Sequence, residues 1–314
     1  MKPNYVNQPT PLDVLIERHR KQPNILETAK LELLGAGEDD VYNIAQEFVW
    51  NGERIIAGRI ESRDSELSRI GFFHHVEGDR YLLKGPKLEA MQDPCVEIVD
   101  GELIVGGTEI FPNDAGQITM WHTTFFRGFD LTNLRPFAIA PAKMKDVRLI
   151  KTDRIHVFSR PQGGVAGPGR IGYFAIDSLD DLKPSAIAAA PLLTTQFEPG
   201  TWGGVNQIHA LKNGLLGIVG HIARMSEGDV RHYYGMSFVF DPHTRQSTEV
   251  EILCERRDFA PGATKRPDLV DVVFLGGMVR HVDGTATLYT GLSDAESHRA
   301  KIVDPFVKYE EGSG

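Results

Sequence analysis

The chain has 314 residues, 41% hydrophobic and 25% charged, the proportions of a globular protein long enough to bury a sizeable core. Acidic residues outnumber basic ones 43 to 34, a net charge of −9, so no general field attracts nucleic acid or an anionic membrane. Two cysteines, Cys95 and Cys254, exclude a disulfide framework and show no metal-ligand pairing.

In chain order, the opening MKPNYVNQPTPLDVLIERHR lacks an apolar h-region, and no later run approaches the roughly 20 apolar residues of a membrane span, so a cytoplasmic protein is expected. Residues 11 to 34 have helical character broken at Pro23, which predicts a short helical N-terminal extension over residues 1–35. From residue 36 to 314 the texture changes to short runs rich in Val, Ile, Phe and Tyr between Asn-Gly, Asp-Gly and Gly-Gly turns, which reads as one all-β catalytic domain. The histidines form no HExxH pair, and His74 and His75 would point to opposite faces of a strand, so no metal and no cofactor is expected.

Turn dipeptides anchor a repeat within the β region. Hairpins are predicted at Asn51-Gly52, Asp100-Gly101, Asn213-Gly214 and Asp283-Gly284, with Thr152-Asp153 in the corresponding place of the remaining segment. Each follows a strand with a polar residue near its start: Asn43, Asp93, Asp146, Asn206 and Asp271. The second strand of each hairpin ends on another polar residue: Arg59, Glu109, Arg160, His221 and Asp294. This periodicity predicts a five-bladed β-propeller whose first strands surround an axis, so that the five Asx residues converge as a polar ring. The simpler alternative is that Asx residues at strand starts satisfy local backbone donors.

Asp93 precedes Pro94, which biases it toward extended backbone and would hold its carboxylate at an ordered strand entrance. Arg160 and His221 share the hairpin-end position and are the preferred anion contacts among a basic set that includes Lys145, Arg148, Lys151 and Arg280. Trp121, Trp202, Tyr233 and Tyr234 are candidates for a sugar platform, or equally for packing. The stretch GGVAGPGR at 163–170 lacks the lysine and serine of a phosphate loop and reads as a long hairpin turn.

Gln92-Asp93-Pro94, Lys145-Asp146, HVFSRP, GVNQIHALKNGLLGIVGH, YYGMSFVFD and LYTGLSD, in this order over about residues 40 to 300, resemble the inverting β-mannoside phosphorylases of glycoside hydrolase family 130. More narrowly the chain resembles the domain of unknown function 1861 group, related to the mannosyltransferase-phosphorylases of glycosyltransferase family 108 that act on β-1,2-mannan. The resemblance implies Asp93 as the single catalytic acid/base. It implies Lys145, Arg160 and His221 as phosphate contacts, and Asn43, Gln92, Asp146, Asn206, Tyr234 and Asp294 as substrate contacts. Lys145-Asp146 stands where the phosphorylases carry Arg-Asn, and His232-Tyr233-Tyr234 where they place one binding tyrosine. The implied partners are phosphate or mannose 1-phosphate, or a nucleotide-mannose, and mannose oligosaccharides. The alternatives are a five-bladed furanosidase-type hydrolase drawing further carboxylates from Glu109 and Asp271, and a non-catalytic carbohydrate-binding propeller.

Overall fold

A computed structural model describes residues 2–310. Helix α1 (Leu12–Lys21) buries Leu12, Leu15, Ile16 and His19 on one face and stops at Gln22. Pro23 disfavours helical backbone at the residue before it and offers no N–H. The helical character expected up to residue 34 is therefore confined to α1. Beyond Pro23 the chain forms β1 (Ile25–Lys30) and β2 (Glu32–Leu34), because strands distant in sequence offer their edges there.

The remainder is mostly β, as the strand-and-turn texture predicts, and runs as successive antiparallel meanders. The first contains β3 (Asp40–Tyr42) and β4 (Phe48–Trp50), both paired with β5 (Glu53–Glu61), then β6 (Ser68–Glu77) and β7 (Arg80–Glu89), with β2 added in parallel at the edge. The second is β8 (Met91–Val99), β9 (Glu102–Pro112), β10 (Ile118–Gly128) and β11 (Arg135–Ile139). The third is β12 (Lys145–Lys151), β13 (Ile155–Arg160) and β14 (Gly172–Ile176), followed by the short helix α2 (Pro184–Ala188). The fourth is β15 (Thr201–Ala210), β16 (Leu216–Met225), β17 (Arg231–Phe240) and β18 (Glu251–Cys254). The fifth is β19 (Asp271–Arg280), β20 (Thr285–Leu292) and β21 (Glu296–Val303), completed by β1, with Ile25 opposite Ile302 and Lys30 opposite His298. Helix α3 (Val307–Glu310) follows.

The hydrophobic core is divided between neighbouring meanders. Phe48, Ile55 and Phe72 of the first pack on Met91, Val96 and Val105 of the second, and Tyr289 of the fifth joins Val41, Ile44 and Ile60 of the first. Val147 and Val157 meet Ile104 and Phe125; Phe158 and Tyr173 meet Ile218 and Phe238; Val219 and Val239 meet Val273 and Leu288. Contacts run from β8 to β12, from β12 to β15, from β15 to β19, and from β20 and β21 back to β3.

Each first strand is broken or bulged, near its start in the second and third meanders and at its middle in the fourth and fifth. β3 and β4 are separated by residues 43–47, and the register shifts between Gln92 and Cys95, Lys145 and Arg148, Val205 and Gln207, and Leu275 and Gly277. Asn43, Asp93 and Asp146 sit at these bulges with φ of 46°, 51° and 54°. Asp93 is thus left-handed rather than extended: Asx residues tolerate this region, and the bulge overrides the bias from Pro94. The Asn51-Gly52 and Asp100-Gly101 turns have positive φ at both residues, the backbone that two-residue hairpins require.

Candidate active site

The break after β3, the bulges of β8 and β12, the far ends of β5, β13 and β16 and the turn after β20 open on one cavity of about 210 Å³. Asp93 is nearly buried, and its Oδ1 accepts hydrogen bonds from Asn43 Nδ2 at 3.0 Å and Arg59 Nη1 at 3.3 Å. Arg59 also donates Nε to Glu61 Oε2 at 2.9 Å and lies 4.9 Å from the centroid of the Tyr42 ring. Glu61 is fully buried and is closed off by Lys265 and the Tyr42 hydroxyl, so the guanidinium is anchored from behind. Asp294 lines the same cavity at a φ of 50°. Burial raises its pKa, with the Asp93 carboxylate adding to the effect and Arg59 opposing it.

A cationic group occupies the side built by the third and fourth meanders. Arg160 Nη1 donates to Asp146 Oδ2 at 3.1 Å, and Arg148 Nη2 reaches Asp146 Oδ1 at 3.4 Å. Burial works against the Asp146 carboxylate, but Arg160, Arg148, His221 and Lys145 outweigh it and lower its pKa. The buried Arg160 Nε has no hydrogen-bond partner, and Gly169 of the 163–170 loop packs so closely that a Cβ there would lie 2.9 Å from that nitrogen. The predicted long hairpin turn thus joins β13 to β14 and covers the guanidinium. His221 stacks on Tyr233 with centroids 5.4 Å apart, and its Nδ1 is 2.8 Å from Asn206 Oδ1. Burial depresses its pKa to about 4, so the imidazole is neutral near pH 7. Lys145 Nζ donates to Gln92 Oε1 at 3.3 Å, tying the basic side to the residue before Asp93.

Nine of the candidate site residues from sequence therefore face one cavity: Asn43, Gln92, Asp93, Lys145, Asp146, Arg160, His221, Tyr233 and Asp294. Asn206 does not line it and instead holds His221 from behind. Tyr234 is corrected by strand alternation: it points into the core with Leu12 and Leu15, and its neighbour Tyr233 faces the cavity. Asp271 leaves the expected polar ring because the bulge of β19 falls at Gly276; its carboxylate pairs with His232 Nδ1 at 2.5 Å. Glu109 accepts from Thr124 Oγ1 at 2.7 Å outside the cavity. Trp202 stands behind Tyr233, donating Nε1 to its hydroxyl at 3.3 Å. Lys151 pairs with Asp100, and Arg280 with Asp304 and Glu310, away from the site.

Sequence reading assigned no role to Arg59, Glu66 or Phe274, which also line the cavity. Arg59 carried a readable signal, since it stands at the same hairpin-end position as Arg160 and His221. Glu66 belongs to a connecting loop and Phe274 to an apolar strand, where nothing local marks them.

The family model described as "Protein of unknown function (DUF1861)" matches residues 17–308. No match was found among curated proteins. Among solved structures, a mannose phosphorylase from Leishmania mexicana in complex with phosphate ion is 32% identical, with a TM-score of 0.89 over 95% of this chain and 94% of that one. A GDP-Man-dependent mannosyltransferase from the same organism is 30% identical, with a TM-score of 0.86 over 97% of both chains. A β-1,2-mannobiose phosphorylase from Listeria innocua shares the fold at 14% identity, with a TM-score of 0.60 over 92% of this chain and 97% of that one. With the model matched over nearly its whole length, the chain belongs to the DUF1861 family.

Proposed function

We propose that this chain is an inverting mannosyl-transferring enzyme that moves mannose between an anionic donor and a mannose oligosaccharide of the β-1,2-mannan type, with Asp93 as general acid/base. In this reading the five meanders are the blades of a propeller, and the site lies at the mouth of its axis. The observation that carries the proposal is the juxtaposition in one cavity of Asp93 with a neutral His221 and the guanidinium of Arg160. Likeness to a phosphorylase and a mannosyltransferase at 30% identity or more supports it.

The chemistry balances with one carboxylic acid. An inverting hydrolase needs a second carboxylate to activate water, whereas a phosphorylase uses phosphate as its own charged nucleophile. In phosphorolysis a phosphate oxygen bonds to the anomeric carbon from the face opposite the leaving sugar. The glycosidic C–O bond breaks, and the proton held by Asp93 passes to the departing oxygen, directly or through a sugar hydroxyl. The products are α-mannose 1-phosphate and a chain one unit shorter. Synthesis runs the same path backwards, with Asp93 taking the acceptor proton. Arg160 grips the anion with a guanidinium that Asp146 fixes, and Asn43 and Arg59 fix the catalytic carboxylate.

Hydrolysis is the weaker reading: Glu109 and Asp271 lie outside the cavity lining, and of the carboxylates inside it Asp146 is held by Arg160 and Arg148, Glu66 by Lys265 and Arg266, while burial raises the pKa of Asp294 and works against its service as a base. The deciding assay incubates the protein with mannose and either mannose 1-phosphate or a nucleotide-mannose. Oligosaccharide with stoichiometric release of phosphate or nucleotide is expected. Free mannose released from β-mannosides without phosphate consumption would replace phosphorolysis by hydrolysis, and no turnover of any mannoside would remove the proposal.

A further inference from the structure

A second, larger cleft of about 690 Å³ adjoins the central cavity and shares Glu66, Gln92 and Lys145 with it. One wall is the β5–β6 connection, with Asp64, Ser65 and Leu67, and the other is the β9–β10 turn, with Ala115 and Gln117. Both walls are held in place. Asn113 Oδ1 accepts from the backbone N–H of Ala115 at 3.0 Å and of Gln117 at 2.9 Å, while Lys265 Nζ donates to Ser65 O at 2.7 Å. The floor is apolar, formed by Ile110, Ile118 and the Trp121 ring.

Charge decides what such a cleft accepts. Glu66 is already paired with Lys265 and Arg266, Asp64 accepts from Ser62 Oγ at 2.6 Å, and the cation in the lining, Lys145, bonds Gln92 and lies 5.9 Å from the centroid of the Trp121 ring, so no cluster of unpaired cations faces the cleft. A nucleotide would find Lys145 beside the Asp64 carboxylate, too little positive charge to hold a diphosphate. A neutral polyol would instead lay its C–H faces on Trp121 and Leu67 and donate hydroxyls to Asp64, Glu66 and Gln117. The first two meanders supply most of this cleft, on the Gln92 side of Asp93, whereas the third and fourth supply Arg160 and His221.

We propose that this cleft binds the second and third sugar units of an oligosaccharide acceptor and sets the preferred acceptor length, an inference that rests on the mannosyl-transfer reading. The test measures kcat/KM with mannose 1-phosphate as donor and mannose, β-1,2-mannobiose or β-1,2-mannotriose as acceptor, alongside calorimetric titration with each sugar. Wild type should favour the triose over mannose. Trp121→Ala should cut that ratio about tenfold, the loss of roughly one good aromatic contact. Ala115→Trp, at an exposed turn position whose backbone bond is retained, should flatten the ratio by filling the cleft. Equal triose and mannose binding in wild type, or unchanged ratios in both variants, would overturn the inference while leaving mannosyl transfer intact. If no sugar is turned over, mannosyl transfer fails, and the titration alone decides the cleft. Triose binding stronger than mannose binding and lost in Ala115→Trp sustains it, whereas competition by guanosine diphosphate overturns it.

Discussion

At the residue scale, the arrangement around Asp93 dictates which substitution is informative. Asp93 has a left-handed φ of 51°, which Asn adopts more readily than Ala, so Asp93→Asn removes the exchangeable proton with little strain in the bulge. The variant should keep its thermal midpoint and lose about 10² to 10⁴ in rate for both synthesis and phosphorolysis, since both directions share one transition state. A folded Asp93→Asn protein with full turnover would take Asp93 out of the mechanism. His221 gives a prediction of a different kind. Its pKa in the fold is depressed to about 4 from 6.5 by burial, so between those values the unfolded chain binds more protons than the native one. Its contribution to stability is complete above pH 6.5 and is lost as pH falls toward 4, by roughly 2 kcal/mol between pH 6.5 and 5. The thermal midpoint of His221→Gln should therefore fall less on acidification across that window than that of wild type. Parallel pH profiles for the two proteins would show that His221 is not held neutral.

At the element scale, the functional side chains owe their direction to irregularities in otherwise alternating strands. A bulge inserts one residue and re-aims its side chain, which is how Asn43, Asp93 and Asp146 reach a common cavity. Regular alternation accounts for the opposite case, in which Tyr233 faces the cavity and Tyr234 the core. In β19 the bulged residue is Gly276, and a Cβ built there would lie 1.7 Å from the backbone oxygen of Ile44. Neither backbone can yield without reopening the contact between the last and first meanders. Gly276→Ala should therefore destabilise by about 3 kcal/mol or more, at the upper end for a single substitution, with loss of activity as a consequence. Urea denaturation of the purified variant measures this, and a midpoint equal to that of wild type would mean that the contact relaxes freely.

At the scale of the whole molecule, β1 joins the beginning of the chain to its end by pairing with β21, and α1 is clamped beside β18 by the Arg20 fork on Glu255 and by His19 on Asp258. Removing residues 2–30 would leave β21 with an unpaired edge and strip Leu12, Leu15 and Ile25 from the cores they help to close, uncovering apolar side chains of the fourth and fifth meanders. Such a truncation should lower the thermal midpoint by about 10 °C or more, and an unchanged midpoint would make the segment dispensable. The sequence alone determined the β class, the hairpin turns and most of the polar residues of the site, because turn chemistry, strand texture and the Asx spacing are local signals that survive in one dimension. The three-dimensional fold alone decided that residues 25–34 become strands, that Tyr233 rather than Tyr234 faces the cavity, that Gly276 takes the bulge in place of Asp271, and that Arg59 grips Asp93. The physical reason is the same in each case: strand partners, the side of the sheet that is buried and the position of a bulge are set by backbone pairing between segments far apart in the chain, and nothing within one segment records them.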